Sequence, residues 1–380
     1  MAGRRPYFVV IVAATLAAAL MLGCGGDGAS KGDGSAKTAR SVILLIGDGM
    51  GQAQRTAARL YSVGRGGELA MDTLPVTGTA RTWATDNAVT DSASAGTALA
   101  TGIKTRRQAI AVDDQGQPVP TVLELAQKAG KSTGLVTNAA LPDATPATFA
   151  AHNTDRNDYL DIALDMFDHN VDVLLGGGED YFLPKGTIGC FPGDGSRTDG
   201  RNLVTEAEAN GYRHVCTAAD LSSVDPSTTD RLMGTFADYE MARPYAPSLA
   251  EMTDKALAVL DQNSNGFFLM VEGDQIDGAA EHNDAVGTLS DVAGFDAAVQ
   301  VALQYQSQHP DTLVIVTADH ATGGIAIENL PQDGPCSDPD PSDPRECRTT
   351  LHEDGPSLTI EAASSGSTGP SPTTPEMTCR

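Results

Sequence analysis

Four places in this sequence hold residues that could do chemistry together. Asp48 follows the run VILLIG, Glu272 and Asp277 follow FFLMV, Asp319 and His320 follow LVIVTA, and Ser92 stands in VTDSASAGTALATG. Each has an ordinary explanation when taken alone, since an aspartate after a strand commonly caps a helix or forms a turn. Three acidic strand ends converging in one sheet are different, because buried carboxylates repel one another unless cations neutralise them. Oxygen and nitrogen donors without thiolate suit zinc where His and Asp mix, and magnesium where every donor is oxygen. Ser92 heads a run of small residues of helical type, where free N–H groups and the positive helix end favour an anion. A serine there is equally at home as a plain N-cap. The chain has no GxSxG elbow and no obvious Ser/His/Asp triad pattern, so activation of Ser92 by a metal is the more natural reading than activation by a general base.

The elements that must position these residues follow from apolar runs and their breaks. Residues 41–49 (SVILLIGDG) read as a strand closing in glycines, followed by helix to about Tyr61; 132–137 and 171–178 read as strands, and 147–167 as mostly helix. Residues 181–246 are rich in Gly, Asp and Ser and are expected to be loops and an inserted substructure. Alternation resumes with SLAEMTDKALAVLDQ as helix, 266–273 as a buried strand, a helix around 287–306 and 312–320 as another buried strand. Such alternation argues an α/β fold, a large and mainly parallel central sheet with helices on both faces. In such sheets chemistry gathers beyond the carboxyl ends of the strands, where the candidates above stand.

The chain has 380 residues, with 25 Lys+Arg against 50 Asp+Glu for a net charge of −25, so duplex nucleic acid is an improbable partner and an anionic substrate would need a local cation. Arg4 and Arg5 precede a short apolar run from Val9 to Leu22, the layout of an export signal, with only a faint suggestion of the twin-arginine route. Met21-Leu22-Gly23-Cys24 resembles a lipoprotein cleavage box, so residues 1–24 are expected to be removed up to Cys24, which would carry a lipid anchor; a plain secretory signal is the alternative. That places the protein outside the cytoplasm, held to a membrane only through the lipid. Residues 25–40 read as a flexible tether and 363–380 as a disordered or divergent tail around a catalytic domain at 41–362. Export permits disulfides: Cys336 with Cys347 is the easiest pairing and Cys190 with Cys216 the second.

Taken in order, IGDGMG (46–51), TDSASAGTALATG (90–102), DATPATFAAHNTDR (143–156), FFLMVEGDQID (267–277) and VTADHATGG (316–324) resemble the signature blocks of alkaline phosphatases. The resemblance implies a phosphomonoesterase with two zinc ions, one magnesium and a phosphoserine intermediate, acting on small-molecule phosphate monoesters. It implies Ser92 as nucleophile and Arg156 as the phosphate-binding arginine, with Asp91 orienting it; a planar guanidinium can hold two phosphate oxygens at once. It implies Asp48 as the carboxylate shared by one zinc and the magnesium, and Thr145 and Glu272 as further magnesium ligands with Asp143 nearby. Asp319 and His320 match ligands of the zinc that activates the serine, and Asp277 a ligand of the second zinc. Family members are often dimers, so a homodimer is left open.

Two places depart from the family pattern. An Asp-x-x-x-His spacing usually serves the second zinc, but Glu281 is the residue four after Asp277 and His282 comes fifth. On a continuous helix the fourth position shares the face of Asp277 and the fifth is turned by about 100°; Glu281 ligates, or a local distortion brings His282 round. The last zinc ligand would be His352, in LHEDGPSLTIEA, a context only partly like the family's. The competing readings are a phosphodiesterase or sulfatase of the same superfamily, or a degenerate lipoprotein that binds phosphate or metal without turnover. A sulfatase would want Cys or Ser followed by Pro and Arg, which SASAG does not supply.

Overall fold

The computed structural model describes residues 38–329 together with 348–349 and 358–361. The described residues from Ala39 on belong to one compact unit. The signal segment with Cys24, the 363–380 tail, Cys336, Cys347 and His352 lie outside the described residues, as does all of the tether before residue 38.

The chain opens with β1 (Ser41–Gly47), α1 (Gln52–Val63), α2 (Ser92–Thr101) and α3 (Val122–Lys128), then β2 (Ser132–Ala140), α4 (Ala144–Ala150), α5 (Tyr159–Asp168) and β3 (Val173–Gly177). It continues through α6 (Leu203–Ala209), β4 (Arg213–Val215), α7 (Ala218–Ser223), β5 (Leu232–Thr235), α8 (Leu249–Leu260), β6 (Phe267–Gly273), α9 (Gln275–Glu281), α10 (Ala285–Gln308) and β7 (Thr312–Ala318). Strands β8 (Ala326–Asn329), β9 (Arg348–Thr349) and β10 (Leu358–Glu361) make a separate three-stranded sheet in the order β8-β10-β9.

The central sheet has seven strands in the order β4-β5-β3-β2-β6-β1-β7, every neighbouring pair parallel. Its middle strands are apolar at successive positions because both faces are covered. Ile43 and Leu45 of β1 join Phe267, Leu269 and Val271 of β6 in a core shared with α1, α8 and α10. Leu44, Ile46, Phe268 and Met270 point the other way, into a core with α3, α4 and α5. Helix α8 shows how such a layer is written locally: Ser248 and Glu251 form a reciprocal capping box, and Leu249, Met252, Ala256, Leu257 and Leu260 bury one stripe.

Residues 147–167 are mostly helix, as expected, but in two pieces: α4 ends at Ala150 and α5 starts at Tyr159. Between them Asn153 and Asp155 accept from the N–H groups of Asp155 and Asn157 at 2.9 Å each, local bonds that compete with helical ones. The 181–246 stretch is not purely an insertion, for β4 and β5 complete one edge of the central sheet. Strands of three and four residues carry too little pattern to be read beforehand. Strand β7 is an edge strand rather than a buried one, with Leu313 45% and Ile315 39% exposed. The Cys190–Cys216 disulfide is formed, tying the long loop after β3 to the end of β4.

Candidate active site

Register brings the acidic strand ends to one place. Gly47 of β1 pairs with Gly273 of β6 and with Ala318 of β7, so Asp48 and Asp319 follow equivalent positions on adjacent strands, and Glu272 sits opposite Ile46. Asp48, Glu272 and Asp319 are at most 2% exposed. Asp277 arrives from the first turn of α9. Its approach to the Asp48 loop needs Gly49, which has φ +65° and whose added Cβ would lie 2.5 Å from Asp277 Oδ1.

His320 stands at the centre of the cluster. Its Nε2 lies 3.2 Å from Asp319 Oδ2, 3.3 Å from Ser92 Oγ and 3.5 Å from Asp48 Oδ1, and its Nδ1 lies 3.1 Å from Thr322 Oγ1 and 3.8 Å from Asp277 Oδ1. The Thr322 hydroxyl also bonds Asp277 Oδ1. Asp48 Oδ2 accepts from the Thr145 hydroxyl at 3.3 Å, Asp319 Oδ1 from Gly49 N–H at 3.1 Å, and Glu272 Oε2 from the Thr137 hydroxyl at 2.6 Å. One oxygen of each carboxylate is left over: Asp48 Oδ1, Glu272 Oε1 and Asp319 Oδ2 are buried without a hydrogen-bond partner.

Electrostatics tell the same story. Burial, then repulsion from Asp319, Asp277, Glu272 and Asp274, raises the Asp48 carboxyl well above its ordinary range. Burial pushes Glu272 up to about 8 against the opposing bond from Thr137, and Asp319 and Asp274 are raised too, chiefly by burial. Buried carboxylates that repel one another, three of them with an oxygen that no hydrogen bond satisfies, fit divalent cations. Around Asp48, two donor sets have ligand atoms within 4.8 Å of one another: Asp48, Asp277 and His320, which mix imidazole with carboxylate, and Asp48, Glu272 and Asp274, which are all oxygen. The first suits zinc and the second magnesium.

Ser92 is the first residue of α2, and the cap is Asp91, which accepts from Ser94 N–H at 3.0 Å; the serine is therefore not the cap. The hydroxyl of Ser92 is left facing His320. Burial works against ionisation of Asp91, but bonds from Ser94 and Gln108, with Arg156 nearby, hold its carboxyl below the usual range. Arg156 hangs from the loop between α4 and α5, its Nη2 2.8 Å from Asp143 Oδ1 and its Nη1 3.9 Å from Asp91 Oδ2. Burial opposes its charge, yet Asp143, Asp91 and Asp48 raise its pKa and keep it a cation.

Not every sequence candidate comes together. Glu281 and His282 are exposed at the end of α9, and the ring Nδ1 of His282 faces the Gly278 carbonyl at 2.8 Å. Among the described residues neither belongs to the groups around Asp48. Asp274, Thr137 and Thr322 were not singled out by the sequence. Asp274 carried a signal, an acidic residue two after Glu272 at a strand end; the two threonines carried none, since their relevance lies in pairing across strands and loops.

The family model described as alkaline phosphatase matches residues 39–352. Alkaline phosphatase 4 of Bacillus subtilis (strain 168) is 42% identical over 305 residues, 76% of this chain and 62% of that protein. This chain thus spans less than two thirds of that relative's length. The structure of alkaline phosphatase from the Antarctic bacterium TAB5 is 33% identical, covering 77% of this chain and 82% of that one with a TM-score of 0.69. A mutant of the TAB5 enzyme with Mg bound in its M3 site superposes with a TM-score of 0.69 at 28% identity, covering 86% of this chain and 87% of that one.

Proposed function

Because this chain belongs to the alkaline phosphatase family, we propose that it hydrolyses small-molecule phosphate monoesters through a phosphoserine on Ser92. The observation that carries the proposal is the Ser92 hydroxyl, 3.3 Å from His320 Nε2, among three buried carboxylates that each keep an unpartnered oxygen. Asp48, Asp277, Asp319 and His320 would hold two zinc ions, with His352, and either Glu281 or His282 after a local turn of the end of α9, offered to complete the second, and Asp48, Thr145 and Glu272, with Asp143 and Asp274 close by, would hold magnesium. Bound there, the ions supply Lewis-acid charge that acidifies the serine hydroxyl and a water and offsets negative charge on the leaving oxygen. The TAB5 mutant with Mg bound supports a magnesium position in this fold.

The chain's own residues do the rest. The N-terminus of α2 directs N–H groups at the place where Ser92 meets phosphorus. Asp91 and Asp143 fix the guanidinium of Arg156, so its fork can take two phosphate oxygens without a reorientation cost. Ser92 attacks in line, the alcohol leaves, and water then opens the phosphoserine to release phosphate. Arg156 is the local cation that an anionic substrate requires in a chain of net charge −25.

The test is hydrolysis of an aryl phosphate at alkaline pH, after chelation and after zinc and magnesium are returned. Activity lost on chelation and restored by metal, absent in Ser92→Ala while that variant keeps its metal, is the expected result. A Ser92→Ala variant with most of its activity would sink the nucleophile assignment. Full metal occupancy without monoesterase turnover would favour the non-catalytic binding reading, or a diester substrate if a diester assay responds. Export with a lipid on Cys24 and a homodimer belong to the same proposal; acyl labelling lost in Cys24→Ala and a sedimentation measurement check them separately.

A further inference from the structure

A second constellation lies away from Ser92. Glu124 in the first turn of α3, His152 just beyond α4 and His169 at the end of α5 bring their ligand atoms within 4.8 Å of one another. Their side chains are 19%, 14% and 23% exposed, enough for a water to reach them.

The hydrogen bonds around the rings decide where the lone pairs point. His152 Nδ1 is 2.8 Å from the Ala111 carbonyl, and His169 Nδ1 is 2.8 Å from the Asp165 carbonyl. A carbonyl only accepts, so each Nδ1 carries the proton and each neutral ring keeps its lone pair on Nε2. Both Nε2 atoms face the same carboxylate oxygen, Glu124 Oε1, at 3.5 and 3.4 Å. The other oxygen, Oε2, is occupied by the Thr121 N–H at 2.7 Å in the capping box of α3. Three acceptors therefore converge on one point. The rings are tilted by 56° with centroids 5.7 Å apart, so stacking does not explain the approach.

Distances separate the two ways of satisfying such a point. Charge-assisted N–H to carboxylate bonds run at about 2.7–2.9 Å, well short of the separations seen here. A tetrahedral zinc with bonds of about 2.0–2.1 Å sets its ligand atoms roughly 3.4 Å apart. We propose that Glu124, His152 and His169 form a second metal site, for zinc or a similar borderline divalent ion, with water as the fourth ligand. Backbone carbonyls bracing the far nitrogens are the support that metal-ligating imidazoles commonly have, and two imidazoles with one carboxylate favour zinc over magnesium or calcium. The ion would clamp α3, the end of α5 and the start of the loop that carries Arg156. The site does not depend on the reading of the Ser92 centre.

The test counts zinc in the full-length protein by elemental analysis after dialysis against a weak chelator, comparing the wild type with His152→Ala/His169→Ala and with Glu124→Gln. The glutamine can still accept from Thr121 N–H, so α3 keeps its cap. One zinc per chain fewer in the double variant and at least about 10-fold weaker retention in Glu124→Gln are expected. Diffraction from wild-type crystals at the zinc edge should show an anomalous peak bonded to both Nε2 atoms and Glu124 Oε1. Equal zinc in all three proteins, or peaks beside Ser92 with none here, would overturn the site and leave two protonated imidazoles paired with Glu124. If the double variant does not fold, Glu124→Gln and the wild-type map carry the decision.

Discussion

Glu179 and Glu272 are two glutamates enclosed to the same degree, 1% and 0% exposed, and burial raises both. Their surroundings differ. Glu179 Oε2 accepts from the N–H groups of Cys190 and Phe191 at 2.9 and 3.2 Å, and its Oε1 from Cys190 N–H at 3.1 Å and the Thr235 hydroxyl at 3.4 Å. Glu272 has one hydroxyl donor, from Thr137, an unanswered oxygen, and the carboxylates of Asp48 and Asp274 for company. Burial and a raised pKa are common to both, so neither separates a structural carboxylate from a functional one. What separates them is whether the protein itself answers the oxygens.

Exchanging the charge at each position breaks the comparison most directly. Glu272→Gln is expected to lower metal content and to reduce turnover on an aryl phosphate by more than about 100-fold, because the variant removes a ligand. The same variant, stripped of metal, should melt higher than the stripped wild type at neutral pH, since the amide has no proton to take up on burial. Glu179→Gln should leave turnover within about two-fold, its charge meeting the Cys190 and Phe191 N–H groups and the Thr235 hydroxyl. Steady-state rates with metal analysis on both variants check this. A Glu272→Gln protein with full metal and full rate would put Glu272 in the class of Glu179.

The sequence shows the central sheet well and its periphery poorly, and the reason is physical. Strands buried on both faces, such as β1 and β6, carry long apolar runs and announce themselves. Strands β4 and β5 are too short to carry a pattern, and β7, open on one side, reads as if it were covered. The residues at the strand ends, Asp48, Glu272, Asp319 and His320, were legible because a polar residue closing an apolar run stands out. Thr137 and Thr322 were not, as each acts across a strand or loop that sequence spacing does not reveal. The Arg156 block was legible as a block, yet its loop geometry was not, since Asn and Asp bonds to the backbone interrupt what composition reads as helix.

A pH series on chelated wild-type protein sharpens the contrast without any substitution. Glu272 titrates near 4.5 when unfolded and about 8 when folded, so between those values the folded state holds the extra proton. Its favourable contribution is complete below about pH 4.5 and is lost as pH rises through about 8, and Asp48, Asp274 and Asp319 shift in the same direction. The melting temperature of the stripped protein should therefore fall from mildly acidic to alkaline pH, and returning zinc and magnesium should flatten the slope. A stripped protein whose stability is level across that window would mean that the cluster relieves its own repulsion.

The smallest effect concerns Glu179 alone. In Glu179→Gln one oxygen still accepts an N–H, but the new amide hydrogens face the Cys190 and Phe191 N–H groups, leaving a buried donor unanswered. The expected loss is about 1–3 kcal/mol at neutral pH, read as a shift in the denaturant midpoint with the slope unchanged. The raised pKa of Glu179 works against this loss, because the neutral amide escapes the desolvation that the carboxylate bears. The sign of the result is thus a direct measure of which is larger, the answered hydrogen bonds or the burial of charge. Destabilisation confirms that backbone donors make a buried glutamate structural, whereas a neutral or stabilising outcome would remove the distinction on which the comparison with Glu272 rests.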